Sequence, residues 1–157
     1  MPGSIDYSRL RILPDFDTAE WWAATKQHKY FVRQCNKCGH KWFPPTIPAC
    51  AKCASMDIGW FETTGKGVIY SYVVVTQPIL GAFTNTAPYV VAIIELNDCR
   101  EEDGTVTRVA GVLMNDEAET AIGLPCEAVY EETNDPKIVV PRWKISGTAA
   151  NTWHFNE

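Results

Sequence analysis

Histidine and methionine are scarce in this chain of 157 residues, at three each, and the histidines, His28, His40 and His154, are scattered. There is no G-x-S-x-G, no H-E-x-x-H and no phosphate-cradling glycine loop, so no nucleophile and base arrangement is visible. The histidines are expected to be solvated or to pack. No apolar run approaches the roughly 18–20 residues of a membrane-spanning helix. The opening stretch "MPGSIDYSRLRILPDFD" has no apolar core and mixes acids with its bases, which argues against a secretory signal and makes the cytoplasm the expected location. Repeats and low-complexity segments are absent as well. Charged residues make up 21% and hydrophobic residues 46%, an ordinary globular balance with a formal charge of -5. The acidity is uneven: residues 1–64 hold eight Lys or Arg against six Asp or Glu, whereas residues 65–147 hold six against twelve. Such a surface repels nucleic-acid phosphate.

What the chain does have is cysteine in pairs. Residues 34–54 read "QCNKCGHKWFPPTIPACAKCA", two Cys-x-x-Cys pairs around an eleven-residue spacer. Cys35, Cys38, Cys50 and Cys53 can supply four thiolates to one tetrahedral zinc with bonds of about 2.3 Å; iron is the alternative in the same cage. Four protein ligands close the coordination sphere, so the metal is expected to be structural rather than catalytic. Gly39 after the first pair suits the positive φ of a knuckle, whereas Ala54 stands where the second knuckle would favour glycine. The spacer is also shorter than the roughly 15–20 residues usual between such pairs. Cys99 and Cys126 lie outside the pattern and are expected to be small buried hydrophobes or free thiols.

Four segments follow in order: an N-terminal helical segment at 1–29, a zinc ribbon at 30–64, a barrel at 65–147 and a tail at 148–157. "DFDTAEWWAATKQHKYF" predicts a helix capped at Asp17, with Phe16, Ala19, Trp22 and Ala23 on its apolar face. Adjacent Trp21 and Trp22 cannot both enter one core, because helical neighbours diverge by about 100°. Tyr30–Gln34 predicts a strand into the first knuckle, and the prolines of "KWFPPTIP" predict an extended arm. From Gly65 onward "GVIYSYVVVT", "YVVAIIEL", "TVTRVAGVLM", "PCEAVYEET" and "KIVVPRWKIS" predict short strands, with "NDCREEDG", "NDEAETAIGLP" and "TNDP" as turns. The fold class is therefore mainly β: an N-terminal helix, a rubredoxin-like ribbon and a five-stranded OB-fold barrel.

The run "AEWW", "CNKCG", "FPPTIPAC", "GKGVIYSYVVV", "PYVVAIIEL" and "IGLPCEAVYEE" resembles the acyl-CoA-associated proteins that join a rubredoxin-like zinc ribbon to an OB-fold, long catalogued as a domain of unknown function. The ribbon is generic; Gly65, Gly67, Tyr70 and Ser71 make the likeness specific, and it covers about residues 16–146. The resemblance implies a non-catalytic subunit of a heteromeric thiolase-superfamily enzyme, with acyl-CoA as ligand and two copies of each subunit. The partner would be an acyl-CoA thiolase, such as one of aromatic degradation, or a steroid side-chain aldolase. Such a chain shapes the acyl-CoA site while its partner holds the catalytic groups.

Coenzyme A needs cations for its phosphates and an apolar wall. Lys66, Arg142 and Lys144 are the barrel cations to examine, and Phe83, with Ile79 and Leu80 in the long loop "TQPILGAFTNTAPY", is the candidate contact for partner or acyl chain. Trp42 opens the arm from 42 to 48, a further candidate partner edge. Trp153 and Phe155 make the tail either a docking segment or a frayed end. Two other readings come from the same modules: a nucleic-acid-binding ribbon with an OB-fold, and a free-standing acyl-CoA binder.

Overall fold

The computed structural model describes residues 3–46 and 48–155; Ile47 of the arm and Asn156 and Glu157 of the tail lie outside the described residues. The helix α1 spans Ala19–Lys26. Its N-cap is Thr18, one residue past the expected cap at Asp17, and Thr18 is tied back to Asp15: the Asp15 carboxylate accepts from the Thr18 amide at 2.9 Å, and the Thr18 hydroxyl accepts from the Asp15 amide at 3.1 Å. The buried face is Trp21, Ala24 and Thr25, not the stripe through Phe16, Ala19 and Ala23. Phe16 precedes the helix and is 89% exposed. The rotation follows from Trp21, whose indole N–H donates to the Phe31 carbonyl at 3.1 Å and whose ring lies 5.7 Å from Tyr30. Trp22 is left half-buried on the second surface.

Three strands, β1 (Tyr30–Cys35), β2 (Lys41–Trp42) and β3 (Ile58–Thr63), make the ribbon in the order β2-β1-β3, all antiparallel. Five more, β4 (Lys66–Val75), β5 (Tyr89–Arg100), β6 (Val106–Val112), β7 (Pro125–Glu132) and β8 (Val139–Ile145), pair antiparallel in the order β6-β5-β4-β7-β8. A parallel bridge from Leu113 to Trp143 brings the two outer strands together and closes the sheet on itself, as an OB-fold requires. A register shift between Ile69 and Ser71 bends β4 around the barrel. The stretch "NDCR", expected in a turn, continues β5 instead, because Arg100 pairs with Val106 and the Glu101 amide donates to the Thr105 carbonyl at 2.7 Å. No helix among the described residues is long and apolar enough to cross a membrane.

One core serves both modules. Trp21, Tyr30 and Val32 belong to the same buried cluster as Ile69, Tyr72, Val90, Ile94, Leu96 and Trp143. Trp143 sits at its centre, 1% exposed, with Tyr30 at 5.4 Å between ring centres. It fits only because residue 111 is glycine: a Cβ there would stand 2.2 Å from the indole Cδ1.

Candidate functional site

The four paired cysteines converge. Their sulfurs all lie within 4.8 Å of one another, with Cys35 and Cys53 at 3.6 Å and Cys38 and Cys50 at 3.6 Å. Bonds of about 2.3 Å at tetrahedral angles set sulfurs about 3.8 Å apart, so this donor set fits a single metal ion. The two knuckles close identically. Cys35 donates its amide to the His40 carbonyl and its own carbonyl accepts from Gly39; Cys50 and its carbonyl do the same with Ser55 and Ala54, all at 2.9 Å. The Cys35 thiol is drawn down to about 6, first by the backbone N–H of Cys38, while burial opposes the shift. The Cys38 thiol is pushed the other way, up to about 12: the backbone N–H of His40 pulls it down, but burial and the neighbouring Cys50, Cys53 and Cys35 sulfurs outweigh that pull.

Ala54 takes the left-handed backbone of a knuckle, at φ 58°, where Gly39 in the other has φ 77°. An alanine there carries a strain that glycine does not. Ala54→Gly is therefore expected to raise the Tm of the metal-loaded protein by about 2–4 °C. Thermal unfolding followed by circular dichroism checks it; a lowered Tm would mean that unfolded-state entropy outweighs the strain.

The ribbon is fastened to the barrel by charge at the turn after β5. The Lys52 amine lies 3.0 Å from Glu101 Oε1 and 2.5 Å from Asp103 Oδ2, and His40 Nδ1 lies 2.8 Å from Glu101 Oε2. Lys52 beside Asp103 holds that carboxyl well below the usual range. Arg33, 8% exposed, ties the proline arm down: its Nε donates to the Pro45 carbonyl at 3.2 Å, another nitrogen reaches the Asp17 carbonyl, and its guanidinium lies 3.6 Å from the Trp60 ring centre. Trp42 is half-buried; its indole N–H donates to the Thr46 carbonyl at 2.8 Å and its ring stacks on His40. Much of the Trp42 surface is thus committed within the ribbon.

The barrel cations separate into two kinds. Lys66 and Lys144 are exposed and stand on either side of Glu127 across three neighbouring strands. Arg142 is 3% exposed, with one guanidinium nitrogen on Glu131 at 2.9 Å and another on the Leu113 carbonyl at 2.8 Å, so it presents no surface to a phosphate. Arg142 and Lys144 are alternate residues of β8, so strand periodicity alone would treat them alike; the difference comes from the fold, which brings Glu131 and the Leu113 carbonyl to Arg142.

The loop after β4 keeps its apolar residues outside: Ile79 is 98% and Leu80 57% exposed, while Phe83 is half-buried and stacked on Tyr89 at 5.2 Å. What pins this loop was not legible in the sequence. The first residues, which lack any periodicity, run alongside it: the Asp6 amide donates to the Ala82 carbonyl at 2.9 Å, Thr86 to the Ser4 carbonyl at 3.0 Å, and Arg9 to the Gly81 carbonyl at 3.2 Å. The Tyr7 hydroxyl donates to Glu131, the partner of Arg142. At the other end the tail folds back on its own barrel, with Trp153 and Ile122 exchanging both backbone bonds and Phe155 4.4 Å from Tyr72. Trp153 and Phe155 are each 46% exposed.

Comparison with known proteins adds relatives to this geometry. Residues 60–131 match the family model described as ChsH2, C-terminal OB-fold domain. A probable enoyl-CoA hydratase alpha subunit of Thermomonospora curvata is 36% identical over 125 residues, 80% of this chain; the chain spans only 36% of that relative's length. A DUF35 domain-containing scaffold protein of Methanocaldococcus jannaschii is 33% identical over 117 residues, 71% of this chain and 77% of its own. A solved chain of an Ltp2-ChsH2(DUF35) aldolase superposes with a TM-score of 0.71 at 32% identity, covering 86% of this chain and 98% of that one.

Proposed function

The chain belongs to the DUF35 family, and from that premise we propose that it is a non-catalytic, zinc-binding subunit of a heteromeric thiolase-superfamily enzyme acting on acyl-CoA. The observation that carries the proposal is the loop after β4: Ile79 and Leu80 are held in water by a segment that the N-terminal residues pin in place. Large apolar side chains on a fixed loop are the anchors a partner surface buries. Relatives described as a scaffold protein and as one part of an aldolase fit a chain whose role is to dock. The partner, a thiolase or an aldolase, supplies the reacting groups.

Cys35, Cys38, Cys50 and Cys53 would hold the zinc, which supplies a closed cross-link and no open coordination position. The chain's own residues do the rest: Lys52, His40 and Glu101 orient the ribbon on the barrel, and Arg33 fixes the arm that begins at Trp42. Lys66 and Lys144 are the exposed cations of the barrel, but Glu127 stands between them and offsets their charge, so this face offers a phosphate little. Phe83 stacks on Tyr89, and its amide donates to the Leu80 carbonyl at 3.0 Å.

Phe83→Ala is expected to weaken assembly with the partner subunit by about tenfold, and Ile79→Asp with Leu80→Asp by about a hundredfold. Calorimetric titration of the two purified subunits measures both. Unchanged affinities would remove the loop from the interface.

A further inference from the structure

Two cavities adjoin on the side of the molecule where the N-terminal segment crosses α1 and the turn between β7 and β8. One, of about 440 Å³, is mostly apolar and is lined by Ile12, Pro14, Trp22, Ala23 and Ile138, with Lys26 and Lys137 at its rim. The other, of about 460 Å³, is more polar, with Arg11, Ser8, Tyr7 and Asn134 among its walls. They share Ile12, Leu13, Asp135 and Ile138, so together they form one groove with an apolar half and a polar, cationic half.

The charges of this groove are unspent. Arg11, Lys26 and Lys137 are exposed and none makes a side-chain hydrogen bond or an ion pair among the described residues. The one acid in the lining, Asp135, caps its own turn, its carboxylate accepting from the Lys137 amide at 2.8 Å. Several cations elsewhere are paired or interleaved with acids, as Arg100 and Arg108 are with Glu95 and Lys66 and Lys144 with Glu127. Three free cations beside an apolar cleft on a chain of net charge -5 mark a place complementary to an anion that carries an apolar chain. Volumes of this size are those of small-molecule sites, which range over about 300–1,000 Å³.

We infer that this groove is a ligand site for a phosphate-bearing acyl thioester. The acyl chain lies against Trp22, Ala23 and Ile138, and the phosphates meet Arg11, with Lys26 and Lys137 at the rim. The inference rests on the reading of the chain as an acyl-CoA enzyme subunit and places part of that ligand on the N-terminal segment rather than on the barrel lysines.

Calorimetry of the full, metal-loaded chain with octanoyl-CoA, coenzyme A and octanoate tests it. Octanoyl-CoA is expected to bind about tenfold or more tightly than either fragment, because both halves of the groove are then filled. Arg11→Glu and Ala23→Trp, both at exposed positions, should each weaken octanoyl-CoA by about tenfold, and the pair Lys66→Glu with Lys144→Glu should leave it unchanged. If the barrel pair abolishes binding while the groove variants do not, the groove is wrong and the acyl-CoA reading stands. If the folded chain assembles with its partner but binds none of the three probes, or if the groove variants impair only assembly, the groove is not a thioester site and the subunit reading stands.

Discussion

Cys50→Ser, or removal of the metal by a chelator, is expected to release the ribbon and lower the Tm by about 10 °C, a loss on the order of 4 kcal/mol. Cys50 is 3% exposed, and apart from the cysteine cluster the segment between the knuckles is tied by Arg33 and by the Trp42 indole rather than by a core of its own. Apparent free energies of about 10–16 kcal/mol have been assigned to structural zinc in small finger peptides, and here the shared core retains part of the fold. Tyr30 and Val32 should stay with the barrel, while the second knuckle frees Lys52 from Glu101 and Asp103. Thermal unfolding beside metal analysis measures both effects. A variant that binds no metal and melts within about 2 °C of the parent would show the cluster to be dispensable for folding.

Trp143→Ala is expected to cost about 3–5 kcal/mol. The indole is 1% exposed, packs on Tyr30 of the ribbon and fills the space left by Gly111, while the backbone of Trp143 makes the parallel bridge to Leu113 and accepts from the Met114 amide at 2.7 Å. Losing it opens a cavity where helix, ribbon and barrel meet. Urea unfolding should show one transition at a lower midpoint. A loss under about 1 kcal/mol, or two separate transitions in the parent, would contradict a single core.

Much of the architecture was legible because its signals are local. Period-two runs mark β4 to β8, and the two Cys-x-x-Cys pairs mark the knuckles. Long-range partners were less legible. Arg142 looks like a surface cation until the fold brings Glu131 and the Leu113 carbonyl to it, and Tyr7 lies in an aperiodic stretch whose partner is 124 residues away. The helix face was misjudged because a bond from Trp21 to the Phe31 carbonyl overrides the pattern of apolar residues in so short a helix. β5 ran past its expected end because the ribbon needs the turn beyond Arg100 as its seat, a tertiary demand that the polar composition of "NDCR" conceals.

Docking to a thiolase-superfamily partner is tested by co-expressing the chain with such a subunit. The chain should co-elute with that subunit in a stable heteromer, and the pair should cleave an acyl-CoA by thiolysis or retro-aldol reaction that neither subunit performs alone. Separate elution, with the chain instead shifting an oligonucleotide at low salt, would contradict the account and favour the nucleic-acid reading.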